Sequence, residues 1–443
     1  MSISDLFQKL SVQKTGDPIR LVCELYKVFK EETQSQETLD DFYFWGELLI
    51  SDFDDVDKNM VDADKLFSNL QGLKNLMDNY DFLDKEQEEA IRQFFQNFSI
   101  ERRTELKEKF ISLWDKLGSI YHRYQENLTE LGIAYEGMLY RNVIEQLDTE
   151  RLKYDKYIFV GFNVLNKVEH QFFKLLQDAD KAMFYWDYDI FYTQQIKKHE
   201  AGEFLKRNLQ DFPNELPDSY FDSFKTPKNI RYISASTENA QARFLPEWIR
   251  TTFSNSECEE KENAVVLCNE ALLLPVLHSI PQEVKNVNIT MGFPLAQTPV
   301  YSFINAAMEL QTNGYRSDTG RFTYEAVSAI LKHPYTQQLS THADSLEDEL
   351  TKTNRFYPLP SELKQDDFLS NLFTPRSGIK DLCDYLVGLI KDISILYRKE
   401  GEYNDIFNQL YRESLFQSHL KINRLYSLIE SGELNVRTEK QKR

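Results

Sequence analysis

Residues 157–189 read YIFVGFNVLNKVEHQFFKLLQDADKAMFYWDYD, and this stretch restricts the fold more than any other. An apolar run, Tyr157–Val160, leads into an amphipathic helical pattern, and a second apolar run follows at Met183–Trp186. Two short buried-strand signals separated by one helix predict a β–α–β unit. In nucleotide-driven motors built on this unit, the first strand ends in adjacent carboxylates that hold Mg²⁺ and orient the attacking water. Here it ends in Gly161 and Phe162, which can do neither.

The chain has 443 residues, enough for several domains that each bury a core. Aromatic residues make up 13% and bury much area per residue, which favours packed globular structure. Only 15 glycines and 13 prolines argue for a helix-dominated chain over a turn-rich β-sandwich. The net charge of −19 is the wrong sign for a free-standing DNA clamp, although a local basic groove remains compatible with it. Cys23, Cys258, Cys268 and Cys383 are scattered, without a CxxC pair or a histidine at ligand spacing. They suit reduced thiols in a cytoplasmic protein, with no zinc or iron–sulfur centre and no other cofactor expected. No charged-then-apolar leader and no apolar run of about 18 residues is present, so neither export nor membrane spanning is expected.

Four segments follow from the patterning. Residues 1–150 are helical in period. Val22, Leu25 and Phe29 share a face, as do Leu66, Leu70, Leu73 and Met77. Leu106, Phe110, Leu113, Leu117, Ile120, Tyr124, Leu128 and Leu131 predict one helix of about 30 residues that stops at Gly132. Residues 151–228 hold the β–α–β unit and end in a polar passage with Pro213, Pro217 and Pro227. Residues 229–312 read as a second α/β region. Its strands fall at Ile230–Ala235, Ala264–Cys268 and Val287–Thr290, with helices at Glu238–Arg250 and Glu270–Ser279. Residues 313–443 return to helix, notably Leu382–Tyr397 and Ile406–Leu428. The stretch Leu339–Thr374 reads as a polar, partly mobile connection, and the tail 433–443 as fraying.

Other chemistry is thin. A calcium loop starting at Asp55 would place Asp57 and Asn59 correctly but puts Met60 where glycine is needed and Leu66 where glutamate is needed. The acidic run Asp52–Asp64 reads better as the cap of a helix beginning near Ala63. Glu105-Leu106-Lys107 and Glu362-Leu363-Lys364 fit the short nuclease triplet, yet the first lies in the long helix and the second in a polar loop. No phosphate-binding GxxxxGK[ST] and no GxSxG nucleophile motif occurs. Arg231, Arg243 and Arg250, with Tyr232 and Trp248, are the candidate DNA contacts, while Phe244, Trp248 and Ile249 also fit a core face.

In order and spacing, four stretches resemble the middle of AddB-type (RexB-like) helicase–nuclease subunits of Bacteroides-like bacteria. They are FYFWGELLISDFDDVDKNMVDADKLFSNL (42–70), YIFVGFNVLNKVEHQFFKLL (157–176), FYWDYDIFY (184–192) with EAGEFL (200–205), and AVVLCNEALLLPVLHSIP with NVNITMGFPLAQTP (264–299). The resemblance implies an inactivated superfamily 1 helicase portion of the UvrD/RecB kind: α/β, two partial RecA-like parallel-sheet domains with large helical insertions. It implies a phosphate loop before these residues and a PD-(D/E)XK nuclease after them. Gly161 and Phe162 would stand where working helicases have Asp-Glu. Asp187 would survive from a Gly-Asp…Gln motif whose glutamine is gone. The implied role is non-catalytic, guiding single-stranded DNA in double-strand break repair, and reading a recombination hotspot, beside an active AddA/RecB-like partner subunit. Two other readings remain: an ATP-dependent helicase whose phosphate loop lies outside this chain, and an acidic helical interaction module with no DNA role.

Overall fold

The computed structural model describes residues 1–67, 116–194, 200–254, 263–281, 283–284, 286–397 and 406–432. They divide into two compact units, Met1–Asn229 and Ile230–Arg443. Helices dominate both, and the described strands form three two-stranded sheets.

The first unit begins with α1 (Ile3–Leu10), β1 (Lys14–Thr15), α2 (Pro18–Thr33) and α3 (Leu39–Lys58). Their starts are written in the sequence. Ser2 with Asp5 and Thr38 with Asp41 form reciprocal capping boxes, and Asp17 caps a helix whose first residue is Pro18. After α4 (Leu117–Glu130), β2 (Ile133–Ala134) pairs in parallel with β1, and α5 (Glu136–Gln146) returns along α3. The predicted stop at Gly132 is real: it takes φ +68°, and its amide closes on the Thr129 carbonyl at 3.0 Å. Leu70, Leu73, Met77, Leu106, Phe110 and Leu113 lie outside the described residues.

Close approach of α3 and α5 depends on Gly137. Its amide donates to Asp54 Oδ1 at 2.5 Å, and a Cβ here would fall on the Asp54 carbonyl oxygen. The clash is with backbone, so it cannot be relieved by a rotamer. Gly137→Ala is expected to cost about 1–3 kcal/mol, read as a lower urea midpoint; an unchanged midpoint would show that the two helices separate freely.

The β–α–β unit forms as predicted. β3 (Tyr157–Val160) and β4 (Ala182–Tyr185) are parallel neighbours, with Tyr157 opposite Ala182 and Val160 opposite Tyr185. The connecting α6 (Lys167–Asp178) starts at an Asn166–Glu169 capping box. Its buried face, Val168, Phe172, Phe173 and Leu176, lies on Tyr157, Phe159 and Phe184. The chain then passes through α7 (Ile190–Thr193) and α8 (Glu203–Asp211). Residues 1–150 and 151–228, read from sequence as separate segments, share one continuous core from Leu6 to Phe212.

The second unit departs from the expected parallel sheet. Its predicted helices form, as α9 (Glu238–Ser254) and as a 3₁₀ turn leading into α10 (Leu273–Ser279). None of the three predicted strands, 230–235, 264–268 or 287–290, is part of a ladder among the described residues. Tyr232 is 90% and Val266 83% exposed. β-branched and aromatic runs become strands only where a neighbour supplies ladder bonds and a buried face, and among the described residues these segments have neither.

The rest of the unit is a helical core. It comprises α11 (Pro299–Glu309), the hairpin of β5 (Tyr315–Arg316) and β6 (Arg321–Phe322), α12 (Tyr324–Leu331), α13 (Pro334–Leu339), α14 (Ala343–Lys352), α15 (Pro360–Leu363), α16 (Asp367–Leu372), α17 (Ile379–Leu396) and α18 (Ile406–Glu430). The stretch 339–374 is not a polar connection. Leu346, Leu350, Leu363, Leu369, Leu372 and Phe373 are buried in this core, because its few apolar residues recur at helical spacing.

Candidate functional site

Two places collect the residues singled out by sequence. The first is the C-terminal edge of the β3–β4 pair. Gly161 follows β3 with φ +78°, and its amide donates to the Tyr185 carbonyl at 3.1 Å, completing the ladder. A side chain at this φ would be strained even though open space surrounds the Cα. Phe162 turns back onto the core, edge-on to Phe173 at 5.2 Å between centroids. Asp187 follows Trp186 after β4 and is exposed. All three positions thus sit where strands end, with one carboxylate among them.

The neighbouring Asp189 is structural. It caps α7 through the Phe191 amide at 2.9 Å and accepts from the Ser223 and Phe224 amides at 2.9 and 2.8 Å. Although partial burial opposes it, these amide bonds hold its carboxyl below the ordinary value. The outer edge of β4 is closed: Glu215 N donates to the Phe184 carbonyl at 3.0 Å, and Asn214 bonds both the amide and the carbonyl of Trp186. The two positions that follow β3 thus carry no acidic pair.

The second place is an open cleft of about 1200 Å³ between α9 and α10. Asn239, Arg243, Pro246 and Arg250 line it because steps of four, three and four put them on one helical face. His278, Ser279 and Glu283 face them. Arg250 Nε lies 3.4 Å from Glu283 Oε1, with both side chains largely exposed. His278 stacks on Phe407 of α18, centroids 4.0 Å apart. Two guanidiniums and one carboxylate line the cleft, a local excess of positive charge within a chain of net charge −19. Of the three candidate arginines the fold brings Arg243 and Arg250 together, while Arg231 sits over the Phe244 ring, 5.8 Å from its centroid. Sequence reading missed His278 and Asn239; the face spacing would have found Asn239, but nothing local marks His278.

The remaining candidates resolve into structure. Asp52, Asp54, Asp55 and Asp57 lie within α3, but a new helical turn does begin at Ala63 as expected, and Asp62 caps it by accepting from Lys65 N at 3.1 Å. Glu362 belongs to α15, not a loop. It pairs with Arg355 and accepts from the Leu359 amide. Glu105–Lys107 lies outside the described residues. Ser302 Oγ lies 3.0 Å from His333 Nε2, but His333 Nδ1 accepts from the Tyr335 amide at 3.2 Å. In the neutral ring the proton is therefore on Nε2, which cannot take one from serine. Burial pushes this imidazole below its ordinary value. Among the described residues no group of histidine, cysteine and acidic side chains has a metal-holding arrangement, and no helix is long and apolar enough to cross a membrane.

Comparison with protein-family models finds no match, and a search of curated proteins finds none either.

Proposed function

We propose that this chain is a helicase-like scaffold without ATP turnover of its own. It binds single-stranded DNA in a double-strand break repair complex whose motor is an active AddA/RecB-like partner subunit. The observation that carries the reading is the edge of the β3–β4 pair, where Gly161 and Phe162 stand in place of an acidic pair and Asp187 stands alone. In this reading the unit Met1–Asn229 keeps part of a RecA-like domain, and the unit Ile230–Arg443 the remainder of a second. The cleft with Arg243, Arg250 and His278 supplies the phosphate contacts. An ATP-driven helicase would need a carboxylate pair at the edge that Gly161 and Phe162 occupy.

The purified chain is expected to show no ATP turnover above background, with or without single-stranded DNA. It should bind an oligothymidine with an affinity that falls as salt rises. Arg243→Glu combined with Arg250→Glu should weaken binding about tenfold or more and flatten the log–log salt dependence by about two. ATP turnover abolished by one point substitution, or the absence of salt-sensitive binding, would overturn the reading.

A further inference from the structure

The β5–β6 hairpin of the second unit supports a ledge with unusual chemistry. Gly320 takes φ +66° and closes the hairpin turn by donating to the Arg316 carbonyl at 2.8 Å. Residues 356–358 run beside β6, fixed by Phe322 N to the Pro358 carbonyl at 3.0 Å and Tyr324 N to the Phe356 carbonyl at 2.9 Å. Arg321 Nη1 adds a bond to the Tyr357 carbonyl at 2.8 Å. Below, Pro358 and Phe322 are buried, and Phe322 meets Phe373 edge-on at 5.9 Å. The backbone is thus pinned to the core, yet it holds Phe356 64% and Tyr357 46% exposed.

Leaving two adjacent rings in water on a fixed backbone forgoes hydrophobic stabilisation, and folding of the core does not require it. Cations lie along the segment. The Arg316 guanidinium lies over Tyr357, 4.9 Å from its centroid, and Arg321 and Arg355 flank the same segment. Acidic groups near it include Asp318 in the hairpin turn and Glu362, which pairs with Arg355. Fixed aromatic faces beside guanidiniums are the combination that holds unpaired bases and their phosphates. Charge alone would also suit an acidic peptide, but two neighbouring outward rings favour stacked bases.

We propose that this ledge is a contact for single-stranded nucleic acid separate from the α9–α10 cleft, with bases stacking on Phe356 and Tyr357 and a phosphate meeting Arg316. It rests on the nucleic-acid part of the reading above and not on the inactive nucleotide edge. The test uses the full chain and a fluorescent oligothymidine of about 16 nucleotides. Phe356→Ala and Tyr357→Ala should each weaken binding about tenfold with the salt slope unchanged, and Phe356→Trp should restore it. Arg316→Ala should lower the salt slope by about one.

Should a variant fold poorly, photocrosslinking of the unmodified chain to an iodouracil oligonucleotide decides the matter. A mapped adduct at 356 or 357 supports the ledge, and adducts confined to other segments overturn it. If ledge variants bind normally while Arg243→Glu and Arg250→Glu weaken binding, only this inference falls. If the unmodified chain binds no single strand, or a polyglutamate peptide takes the ledge while oligonucleotides do not, it falls as well. Loss on the ledge with normal binding by the cleft variants would keep this inference and discard the cleft.

Discussion

Replacing Asp57 by alanine is expected to destabilise the Met1–Asn229 unit by about 3 kcal/mol or more. The side chain is fully buried. One oxygen accepts from Tyr121 at 2.5 Å and lies 3.3 Å from Arg141 Nη1; the other accepts from Tyr135 at 2.5 Å and from Gln125 at 3.0 Å. Arg141 also donates to the Val61 carbonyl at 2.9 Å, so the network fixes the chain leaving α3 against α4 and α5. Alanine would leave two tyrosine hydroxyls and part of a guanidinium without their acceptor, and take one of two acceptors from the Gln125 amide. Asparagine keeps one acceptor but turns an amide donor toward other donors, so a smaller loss of about 1–3 kcal/mol is expected. Urea unfolding followed by near-ultraviolet circular dichroism measures this, and an alanine effect below about 1 kcal/mol would refute the role assigned to the network.

The same residue sets a pH dependence. Burial raises the Asp57 carboxyl above its ordinary value, against the opposing pull of the two tyrosines and Arg141. A folded-state value above the unfolded one means the folded state binds the proton more tightly. The stability tied to that proton is fully present below about pH 4 and is lost as the pH rises through the folded value. Asp57→Asn should remove this slope; a variant retaining the full acid-side dependence would place its origin elsewhere.

Phe173→Ala should cost about 3–5 kcal/mol and loosen the candidate nucleotide edge. The ring is fully buried and lies 4.1 Å from Phe159, 5.2 Å from Phe162, 5.4 Å from Phe184 and 5.7 Å from Phe212, centroid to centroid. It joins α6 to both strands and backs the Phe162 ring. Amide exchange should accelerate across 157–161 and 182–185 while the buried turns of α17 in the other unit keep their protection. Equal acceleration in both units would instead indicate global unfolding, and unchanged exchange across 157–161 would remove Phe173 from any part in holding the edge.

Much of the first unit was legible because its signals are local. Tyr157–Val160 and Ala182–Tyr185 are β-rich runs joined by a helix with its own capping box, and each local preference agrees with the packing. The second unit was misread for the opposite reason. Ile230–Ala235, Ala264–Cys268 and Val287–Thr290 have strand composition, but a strand is a relation between segments, and composition does not say whether a neighbour is present. The error over 339–374 came from counting polar residues when the spacing of the few leucines mattered. At the candidate sites, Arg243 and Arg250 were visible as one helical face, whereas His278 reached the cleft only through the fold.

Local sequence determined where helices begin and end, which runs have strand character, and that no acidic pair follows the first strand of the β–α–β unit. Those properties depend on sterics, capping and side-chain chemistry within a few residues. Tertiary structure alone decided which aspartate of the acidic stretch is buried, which apolar runs obtain a ladder partner, and which arginines share a cleft. Burial and charge proximity depend on residues that meet across long stretches of chain: Asp57 finds Tyr121 and Arg141, and Tyr357 stays exposed beneath Arg316, because of the fold and not of their neighbours in sequence.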